Sequence, residues 1–478
     1  MLFLESHGVS SGYATKLQAF YGNTAITRLK ENPYSLANDI DGIGFKTADR
    51  IAMAMGMERD CNERIIAGLS YALTQAAAAG HTCVPEELLV RETERALMID
   101  SMQVQEVFAE LLNRDLLRTE EVSGMRLIYP EYLYKAEVGT ARRLLALRDQ
   151  AKPLGRVNAD KVIAEWESEA GINLADAQKE AIYASLKHGV FVLTGGPGTG
   201  KTTIVHAILK MYLKLNEDNS TLAESIALLA PTGRAAKRLK ESTNMPASTI
   251  HKFLGYQGEN YFEYSKNNKT SSRLIIVDEA SMMDLPLASR LVTSMHSDAR
   301  LIIVGDVDQL PSVGPGQVLK DLIDSKEIKT IRLTKIHRQA ENSKIITMAH
   351  SINEGLLPED LMTKYPDRIF IPTDNAHLTS LITEYIKLAI AKGKDIKKDI
   401  QVLAPMYRCP AGINELNEEI QELVNPGREE DTLIHNAQKF RVDDKVIQLV
   451  NRSEKNIMNG DIGTVKGITR IKDKDTLH

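Results

Sequence analysis

Short, uninterrupted apolar runs alternate with longer helical stretches in the middle of the chain. The runs are VFVLT, SIALLAP, LIIVDE, LIIVGD and TIRLT, at 190–194, 225–231, 274–279, 301–306 and 330–334. Apolar runs of this length, separated by helices, are typical of parallel strands that helices cover on both faces. The pattern therefore predicts an α/β fold built on a parallel sheet. A similar run, QVLAPM at 401–406, predicts a second α/β region.

Helical patterns dominate the part of the chain before this sheet. Residues 1–60 are short helical pieces separated by glycines, and Arg64–Ala79 is an alanine-rich stretch that ends before Gly80. One strand-like piece, MRLIYP at 125–130, interrupts the helices. We therefore expect an all-helical or winged-helix-like N-terminal region. The end of the chain, from about residue 445, is rich in predicted strands.

Composition argues against a membrane protein, a secreted protein and a uniformly basic nucleic-acid-binding protein. The 478 residues are 43% hydrophobic and 26% charged, as in an ordinary globular protein, with no run near the ~18 apolar residues of a membrane helix. Glu5 and His7 interrupt any secretory signal, so we expect a cytoplasmic protein. Cys61, Cys83 and Cys409 form no CxxC pattern and are expected to be reduced. A net charge of −5 excludes a uniformly basic nucleic-acid coat but not a local basic track.

A phosphate-binding loop follows the run VFVLT. GGPGTGKT at 195–202 fits the pattern G-x-x-x-x-G-K-[ST] and leads into a helix. The glycines let backbone N–H groups point at phosphate oxygens, beside the positive end of the helix. Lys201 would reach the β- and γ-phosphates of ATP, and Thr202 would ligate Mg²⁺. The residues expected to hold the nucleotide are Gly195, Gly196, Pro197, Gly198, Thr199, Gly200, Lys201, Thr202 and Thr203.

Carboxylates and amides at other positions complete the predicted ATP site. Asp278 and Glu279 end the run LIIV, where Asp278 would hold the metal and Glu279 would polarise the attacking water. Gln309, in GDVDQLP, could bond both the γ-phosphate and that water. Gln178 precedes the loop by about 17 residues. It is either a reader of the adenine edge or a surface helix glutamine.

Two segments carry candidate DNA contacts. On a helix that begins near Thr232, the cations Arg234, Lys237 and Arg238 share one face, with Lys240 beside them. Such a face is either simply solvated or a track for a phosphate backbone. The segment IDGIGFKT at 40–47 is typical of a helix-hairpin-helix, with a possible degenerate first copy at 8–22. This segment is either structural or a DNA site, in which its backbone amides approach a phosphate beside Gly42, Gly44 and Lys46.

Seven segments in a fixed order resemble the superfamily-1 DNA helicases, most closely their RecD-like 5′-to-3′ branch. They are LADAQKEAI, GGPGTGKTT, LAPTGRAAKRL, STIHKFLGY, IIVDEAS, IVGDVDQLPSVGPG and LTKIHRQAENSKI, and the resemblance covers roughly residues 8–468. It implies RecA-like P-loop NTPase motor domains and ATP-driven DNA unwinding in repair or recombination. It also implies DNA roles for Thr232 and His251, and a catalytic role for Arg338, which would enter the ATP site from the second motor domain.

The resemblance also implies a domain plan and partners. It gives a helix-hairpin-helix region at 1–60, a helical domain at 61–150 and a first motor domain at 151–335, with a duplex-splitting pin near 256–272. A partial second motor domain at 336–445 and an incomplete SH3-like insertion at 446–478 follow. The expected partners are single-stranded DNA, duplex junctions and single-stranded-DNA-binding or repair proteins, with a monomeric chain and no membrane.

The family pattern continues beyond the last residues of this chain and before its first ones. We therefore expect a truncated chain that binds nucleotide but unwinds little or no duplex. Two alternatives stay open. One is a P-loop NTPase that does not act on DNA, and the other is a DNA-binding fragment without unwinding activity.

Overall fold

The computed structural model describes most of the chain from residue 11 onwards. The described ranges are 11–40, 42–114, 116–150, 159–215, 225–258, 261–334, 343–427, 432–436, 438–450, 452, 457, 459–471 and 474–477. The chain divides into two units. The first holds 1–196, 201–231 and 245–334, and the second holds 197–200, 232–244 and 335–478.

Short helices open the first unit. They are α1 (Ser11–Tyr21), α2 (Ala25–Glu31), α3 (Leu36–Asp39) and α4 (Phe45–Ala54), with 3₁₀ turns at Gly22–Thr24 and Pro33–Ser35. Where α3 leads into α4, Ile43 and Phe45 are buried in the core while Gly42, Gly44 and Lys46 are exposed. Apolar side chains thus anchor this hairpin and leave its glycine backbone at the surface.

A winged helix follows. Its elements are α5 (Asn62–Ala78), β1 (Val84–Pro85), α6 (Glu86–Leu97), α7 (Ser101–Asn113), β2 (Arg118–Val122) and β3 (Met125–Tyr129). The three strands form an antiparallel sheet in the order β1-β3-β2. The region predicted to be all-helical or winged-helix-like is thus mainly helical, with one small three-stranded sheet. β3 corresponds to the predicted strand MRLIYP. Its partner strands were not predicted, because β1 has only two residues and β2, RTEEV, is almost entirely polar.

Long helices connect the winged helix to the sheet. They are α8 (Glu131–Gln150), α9 (Ala159–Ala170) and α10 (Asp176–Lys187). α8 packs along α14 (Leu285–Ser294), where the Arg143 guanidinium donates to the carbonyls of Val292 at 3.2 Å and Met295 at 2.7 Å. These carbonyls end α14 and have no partner within that helix, so Arg143 caps it.

The first unit contains a six-stranded parallel sheet. Its strands are β4 (Val190–Gly195), β5 (Ile226–Ala230), β6 (Ala247–Thr249), β9 (Leu274–Val277), β10 (Arg300–Gly305) and β11 (Lys329–Leu333). The order is β11-β4-β10-β9-β5-β6, and all neighbours are parallel. Every residue of β4, β9 and β10 is buried, as the continuous apolar runs predicted. The predicted α/β fold with a parallel sheet is confirmed.

Further elements of the first unit flank this sheet. They are α11 (Lys201–Lys214), α13 (Ile250–Phe253), α14, α15 (Val318–Ser325), a 3₁₀ turn at Ala280–Met282 and the antiparallel strands β7 (Tyr256–Gly258) and β8 (Tyr261–Phe262). β7 and β8 form a hairpin within the segment 256–272. Because parallel strands end at the same edge of a sheet, the loops after β4, β9 and β10 are neighbours.

The second unit contains helices and β-hairpins. It holds α12 (Gly233–Thr243), α16 (Lys344–Asn353), α17 (Leu378–Ala391), α18 (Ile413–Val424), and the pairs β12–β13 (Leu433–His435, Gln438–Phe440), β14–β15 (Lys445–Ile447, Ile462–Thr464) and β16–β17 (Ile468–Ile471, Lys474–Leu477). The run QVLAPM at 401–406, around which a second α/β region was predicted, forms no regular structure, and Leu403 is 87% exposed. No strand among the described residues pairs with it.

Three further observations concern the described residues. No helix there is both long and apolar enough to cross a membrane. No group of three or more His, Cys, Asp or Glu side chains there is placed to hold a metal ion. Cys61, Cys83 and Cys409 are free thiols.

Candidate functional site

The phosphate loop connects the fully buried strand β4 to the first residue of α11. Gly198 and Gly200 have φ values of +76° and +86°, a left-handed backbone that L side chains rarely adopt. The loop therefore depends on glycine at these two positions. Lys201, Thr202 and Thr203 form the first turn of α11, where helix N–H groups lack intrahelical partners. This arrangement is suited to an anion such as a nucleotide phosphate.

Lys201 folds back over the loop. Its Nζ donates to the carbonyl of Gly196 at 3.0 Å and to that of Gly195. The ammonium group thus lies at the end of β4, at the same edge of the sheet as the loops after β9 and β10. Because neighbouring strands are spaced by about 4.8 Å and β10 separates β4 from β9, the ends of β4 and β9 are roughly 10 Å apart.

Asp278 and Glu279 directly follow β9. The Glu279 amide N–H donates to Asp278 Oδ1 at 2.9 Å. Burial raises the pKa of Asp278 and the Glu279 carboxylate adds to this rise, while the Glu279 amide and Lys201 oppose it. Glu279 has a φ of +52°, which is unfavourable for a residue with a side chain. Strain of this kind in a non-glycine residue is found most often at functional sites.

Thr202 and Asp278 fit a magnesium ion. A threonine hydroxyl and a carboxylate are hard oxygen ligands, and Mg²⁺ in phosphate sites typically takes one or two of these and completes its shell with water and phosphate oxygens. Thr202 is exposed on the first turn of α11. The raised pKa of Asp278 indicates a carboxylate whose charge lacks full compensation, and a divalent cation would supply it.

Gln309 is held by a buried aspartate that the sequence analysis left without a role. Asp306, only 2% exposed, follows β10 and lies with Oδ2 3.3 Å from Gln309 Nε2. Its Oδ1 accepts the Asp308 amide at 3.1 Å. Thr194, the last residue before Gly195, accepts the Val307 amide at 3.4 Å. The Gln309 loop is therefore hydrogen-bonded to the strand that leads into the phosphate loop.

Gln178 closes the N-terminus of α10. It is buried, and its Oε1 accepts the amide N–H of Ala175 at 2.9 Å. Capping of this kind is a structural role, and it fixes the side chain against the helix end. Contact with an adenine base stays a prediction.

The cations predicted to share one helix face lie on the exposed surface of α12. Thr232 caps the helix, with its Oγ1 accepting the Ala235 amide at 3.3 Å. Arg234, Lys237 and Arg238 are exposed, and none of them forms an ion pair within the described part of the chain. Like-charged neighbours without counter-charges favour an anionic ligand, so the face is suited to a phosphate backbone.

His251 lies in an aromatic cluster at the base of the β7–β8 hairpin. Its ring centroid is 5.6 Å from that of Tyr256 and 6.2 Å from that of Phe262. Partial burial lowers its pKa and the Asp284 carboxylate opposes this. Arg290 lies over the Phe262 ring at 5.4 Å. The aromatic neighbours give His251 a packing role, and its contact with DNA stays a prediction.

The helix-hairpin-helix glycines lie on a rigid support. Gly42 has a φ of +89°, and its carbonyl accepts the Tyr13 hydroxyl at 2.9 Å. Asp49 of α4 accepts two bonds from the buried Arg64 of the winged helix, at 2.8 and 3.0 Å, and one from Tyr34 at 2.8 Å. This network fixes α4, and with it the Gly42–Lys46 segment, to the next domain.

The predicted and the observed site residues differ at a few positions. Arg338, predicted to act in catalysis, lies outside the described residues. Asp306, Thr194 and Asp284 were not predicted as site residues. Asp306 and Thr194 are polar residues at the ends of predicted strands, which was the sequence signal for them. The sequence analysis found no signal for Asp284.

Three family models match the chain. They are an AAA domain over residues 178–315, the HHH domain of the ATP-dependent RecD2 DNA helicase over 1–83, and the SH3 domain of the ATP-dependent RecD-like DNA helicase over 416–478. The SH3 match begins before residue 446, from which the sequence analysis placed that insertion.

Individual relatives agree with these matches. The ATP-dependent RecD2 DNA helicase of Deinococcus radiodurans is 32% identical over 472 residues, which are 97% of this chain and 63% of that protein. The RecBCD enzyme subunit RecD of Mycobacterium tuberculosis is 35% identical over 248 residues, which are 48% of this chain and 42% of that protein. The chain thus spans less than two thirds of the length of either relative.

A solved structure, the Pif1 helicase from Candida albicans, aligns with 64% of this chain and 74% of its own at 20% identity, with a TM-score of 0.34. The fold assignment rests instead on the sheet topology. Sequence identity along almost the whole chain and the domain matches point the same way. Over nearly its whole length the chain is similar to the RecD-like DNA helicases.

Proposed function

We propose that this chain carries the ATP-driven motor of a DNA helicase, which moves along single-stranded DNA in repair or recombination. The 5′-to-3′ direction of movement is taken from the family resemblance. One observation carries the proposal: Lys201, the carboxylates after β9 and the Gln309 loop lie at one edge of a single parallel sheet. That edge is where α/β proteins bind their ligands.

In the proposed reaction each residue has one task. Lys201 clamps the β- and γ-phosphates and stabilises the charge that develops during phosphoryl transfer. Thr202 and Asp278 would hold Mg²⁺, which would neutralise phosphate charge. Glu279 accepts a proton from the attacking water. Gln309 orients that water.

The remaining predicted residues complete the proposal. Gln178 reads the adenine edge and Arg338 supplies a second positive charge to the γ-phosphate. The cationic face of α12, with Thr232, contacts the DNA backbone without reading its sequence. The hairpin residues Gly42, Gly44 and Lys46 and the ring of His251 add further DNA contacts. Single-stranded DNA and duplex junctions are the proposed partners, together with single-stranded-DNA-binding or repair proteins, and the proposed state is a monomer.

The test is ATP turnover by this chain with and without an oligothymidylate strand. We expect turnover that the strand stimulates and that Lys201→Ala abolishes. The matched control is Lys210→Ala, because Lys210 lies further along the same helix and pairs with Glu169 at the surface. Turnover that ignores DNA would favour a P-loop NTPase of another kind. DNA affinity that depends on nucleotide, without turnover, would favour a DNA-binding fragment.

Direction of movement needs its own experiment. Streptavidin bound to one end of a biotinylated strand is displaced only by a motor that runs towards that end. We expect ATP-dependent displacement from the 3′ end and none from the 5′ end. The opposite pattern would contradict the proposed polarity while leaving the motor function intact.

A further inference from the structure

The loop that carries Gln309 is tied at its far end to the winged-helix region. The amide N–H of Gly316 donates to the carbonyl of Gly80, in the turn after α5, at 3.0 Å. Gly316 is buried with a φ of +95°, and a Cβ placed there would lie 2.8 Å from Leu285 Cβ and 3.2 Å from Thr82 Cγ2. Only glycine allows so close an approach. Two regions far apart in the sequence are therefore joined by a hydrogen bond between their backbones.

The segment that leads to this contact has little freedom to move. Ser312 Oγ lies within hydrogen-bonding distance of the carbonyls of Gly314 and Gly316, at 3.0 and 2.7 Å. The Leu285 amide donates to the Pro315 carbonyl at 2.9 Å. A Cβ on Gly314 would lie 2.0 Å from Asp284 Oδ2, so the loop runs directly against the start of α14. A displacement of Gly316 must therefore move the whole segment.

The near end of the same loop faces the predicted ATP site. Asp306 holds Gln309 and the Asp308 amide, and Thr194 holds Val307 beside the phosphate loop. Six residues lie between Gln309 and Gly316. With both ends fixed, the position of Gln309 depends on the anchor at Gly80.

The anchor itself is packed between several elements of the first unit. The Thr82 side chain lies near the carboxylate of Glu137, in α8, and the Cys83 thiol. Ala77, near the end of α5, belongs to the same buried cluster as Leu133 of α8 and Leu285 of α14. The turn is thus a fixed point of the structure and not a mobile loop end.

We propose that the turn Gly80–Thr82 positions Gln309 for catalysis, which makes the winged-helix region a tether on the loop that senses the γ-phosphate. The proposal rests on the proposed function of the ATP site. Gly80 and Thr82 are positioning residues, since they act on the reaction only through the loop. A catalytic group that is misplaced by about 1 Å can cost on the order of 100-fold in rate.

The test is to lengthen the turn. Insertion of Gly-Gly after Gly80 slackens the tether and leaves every side chain in place. The matched control inserts Gly-Gly after Gly124, at the tip of the wing. Both glycines have left-handed φ values, +94° and +79°, and a Cβ at either would meet nothing within 4 Å. We expect kcat for DNA-stimulated ATP turnover to fall roughly 10- to 100-fold only for the Gly80 insertion. KM for ATP and the Kd of a fluorescent ADP should stay unchanged.

A second background separates positioning from general damage. In Gln309→Ala the Gly80 insertion should reduce kcat no further, because the tether acts through that side chain. Multiplicative effects of the two changes would overturn the proposal. Equal effects of the Gly80 and Gly124 insertions, or no effect of either, would overturn it too.

Hydrogen exchange tests the tether without turnover. Adding Mg²⁺ and ADP should change the protection of amides at 80–84 and 314–318 together in the unaltered chain and in the Gly124 insertion. In the Gly80 insertion only the second segment should respond. If the unaltered chain hydrolyses no ATP but shows this linked response, the proposed function fails and the tether stands. Absence of any response at 80–84 in the unaltered chain would overturn the tether.

Discussion

Replacing Glu279 separates the chemistry predicted for this residue from the strain in its backbone. Its φ of +52° and ψ of +40° place it in the left-handed region. This conformation costs a residue with a side chain roughly 1–2 kcal/mol. Glycine removes that cost but loses roughly 0.5–1 kcal/mol through the greater freedom of the unfolded chain. We therefore expect Glu279→Gly to raise the free energy of unfolding by about 0.5–1 kcal/mol.

Glu279→Gln keeps the side-chain shape and the strain, and removes only the base. Its stability should match that of the unaltered chain. Its ATP turnover should fall by ~10²–10⁴, the usual contribution of a general base. Nucleotide binding should persist, because Lys201 and Asp278 are untouched. Glu279→Gly should be as inactive as Glu279→Gln despite being more stable.

Urea unfolding of the chain and single-turnover ATP hydrolysis measure the two effects separately. The matched control is Lys326→Gly, since Lys326 has a φ of +58° at the end of α15 and no predicted catalytic role. It should gain similar stability at full activity. A destabilised Glu279→Gly would show that the backbone is not strained there. Normal hydrolysis per bound ATP in Glu279→Gln would show that Glu279 is not the base.

Three further changes test other parts of the molecule. Neutralising Arg234, Lys237 and Arg238 together should weaken single-strand binding whatever its sequence, and should reduce the slope of log affinity against log salt by roughly 0.7 per lost phosphate contact. Asp49→Asn leaves a buried guanidinium without its counter-charge and should cost about 3 kcal/mol in urea unfolding. Glu137→Gln should stabilise the chain at pH 8 and have little effect near pH 4.5 in the same measurement. Burial, helped by neighbouring carboxylates, raises the pKa of this carboxyl from 4.5, so its ionisation destabilises the fold as pH rises.

Each of these changes has a control or a contrary result. An unchanged salt slope would mean that the α12 face is only solvated. Tyr34→Phe removes one hydrogen bond to Asp49 but leaves the ion pair, and should cost only about 1.5 kcal/mol. An equal loss in both variants would mean that the ion pair contributes little. Glu121→Gln, on the exposed strand β2, is the control for the loss of a carboxylate as such.

Local patterns predicted the sheet and the phosphate loop well because both are encoded in short segments. A continuous apolar run needs burial on both faces, and β4, β9 and β10 have it. Glycines at 198 and 200 are required by their backbone geometry. The sequence alone thus located the edge at which the candidate site lies.

Features that depend on a distant partner were missed or wrong. The polar strand β2 becomes a strand only by pairing with β3, and no alternation of its residues indicated this. The apolar run at 401–406 had the composition of a strand but lacks a neighbour to pair with. The contact between Gly316 and Gly80 joins positions that are more than two hundred residues apart. The residue pattern of either segment alone cannot indicate such a contact.

Asp284 shows why the Gln309 loop is a candidate for coupling several sites. Its carboxylate contacts the loop at Gly314, and it caps α14 by accepting the Leu287 amide at 2.9 Å. Burial raises its pKa, while the Leu287 amide and His251 oppose the rise. The same side chain therefore touches the loop that holds Gln309 and faces the histidine predicted to lie near DNA. Since the loop also ends on Gly80, the predicted nucleotide, DNA and winged-helix contacts converge on about ten consecutive residues. We therefore expect a shift at one of these contacts to affect the other two, because coupling between sites is reciprocal.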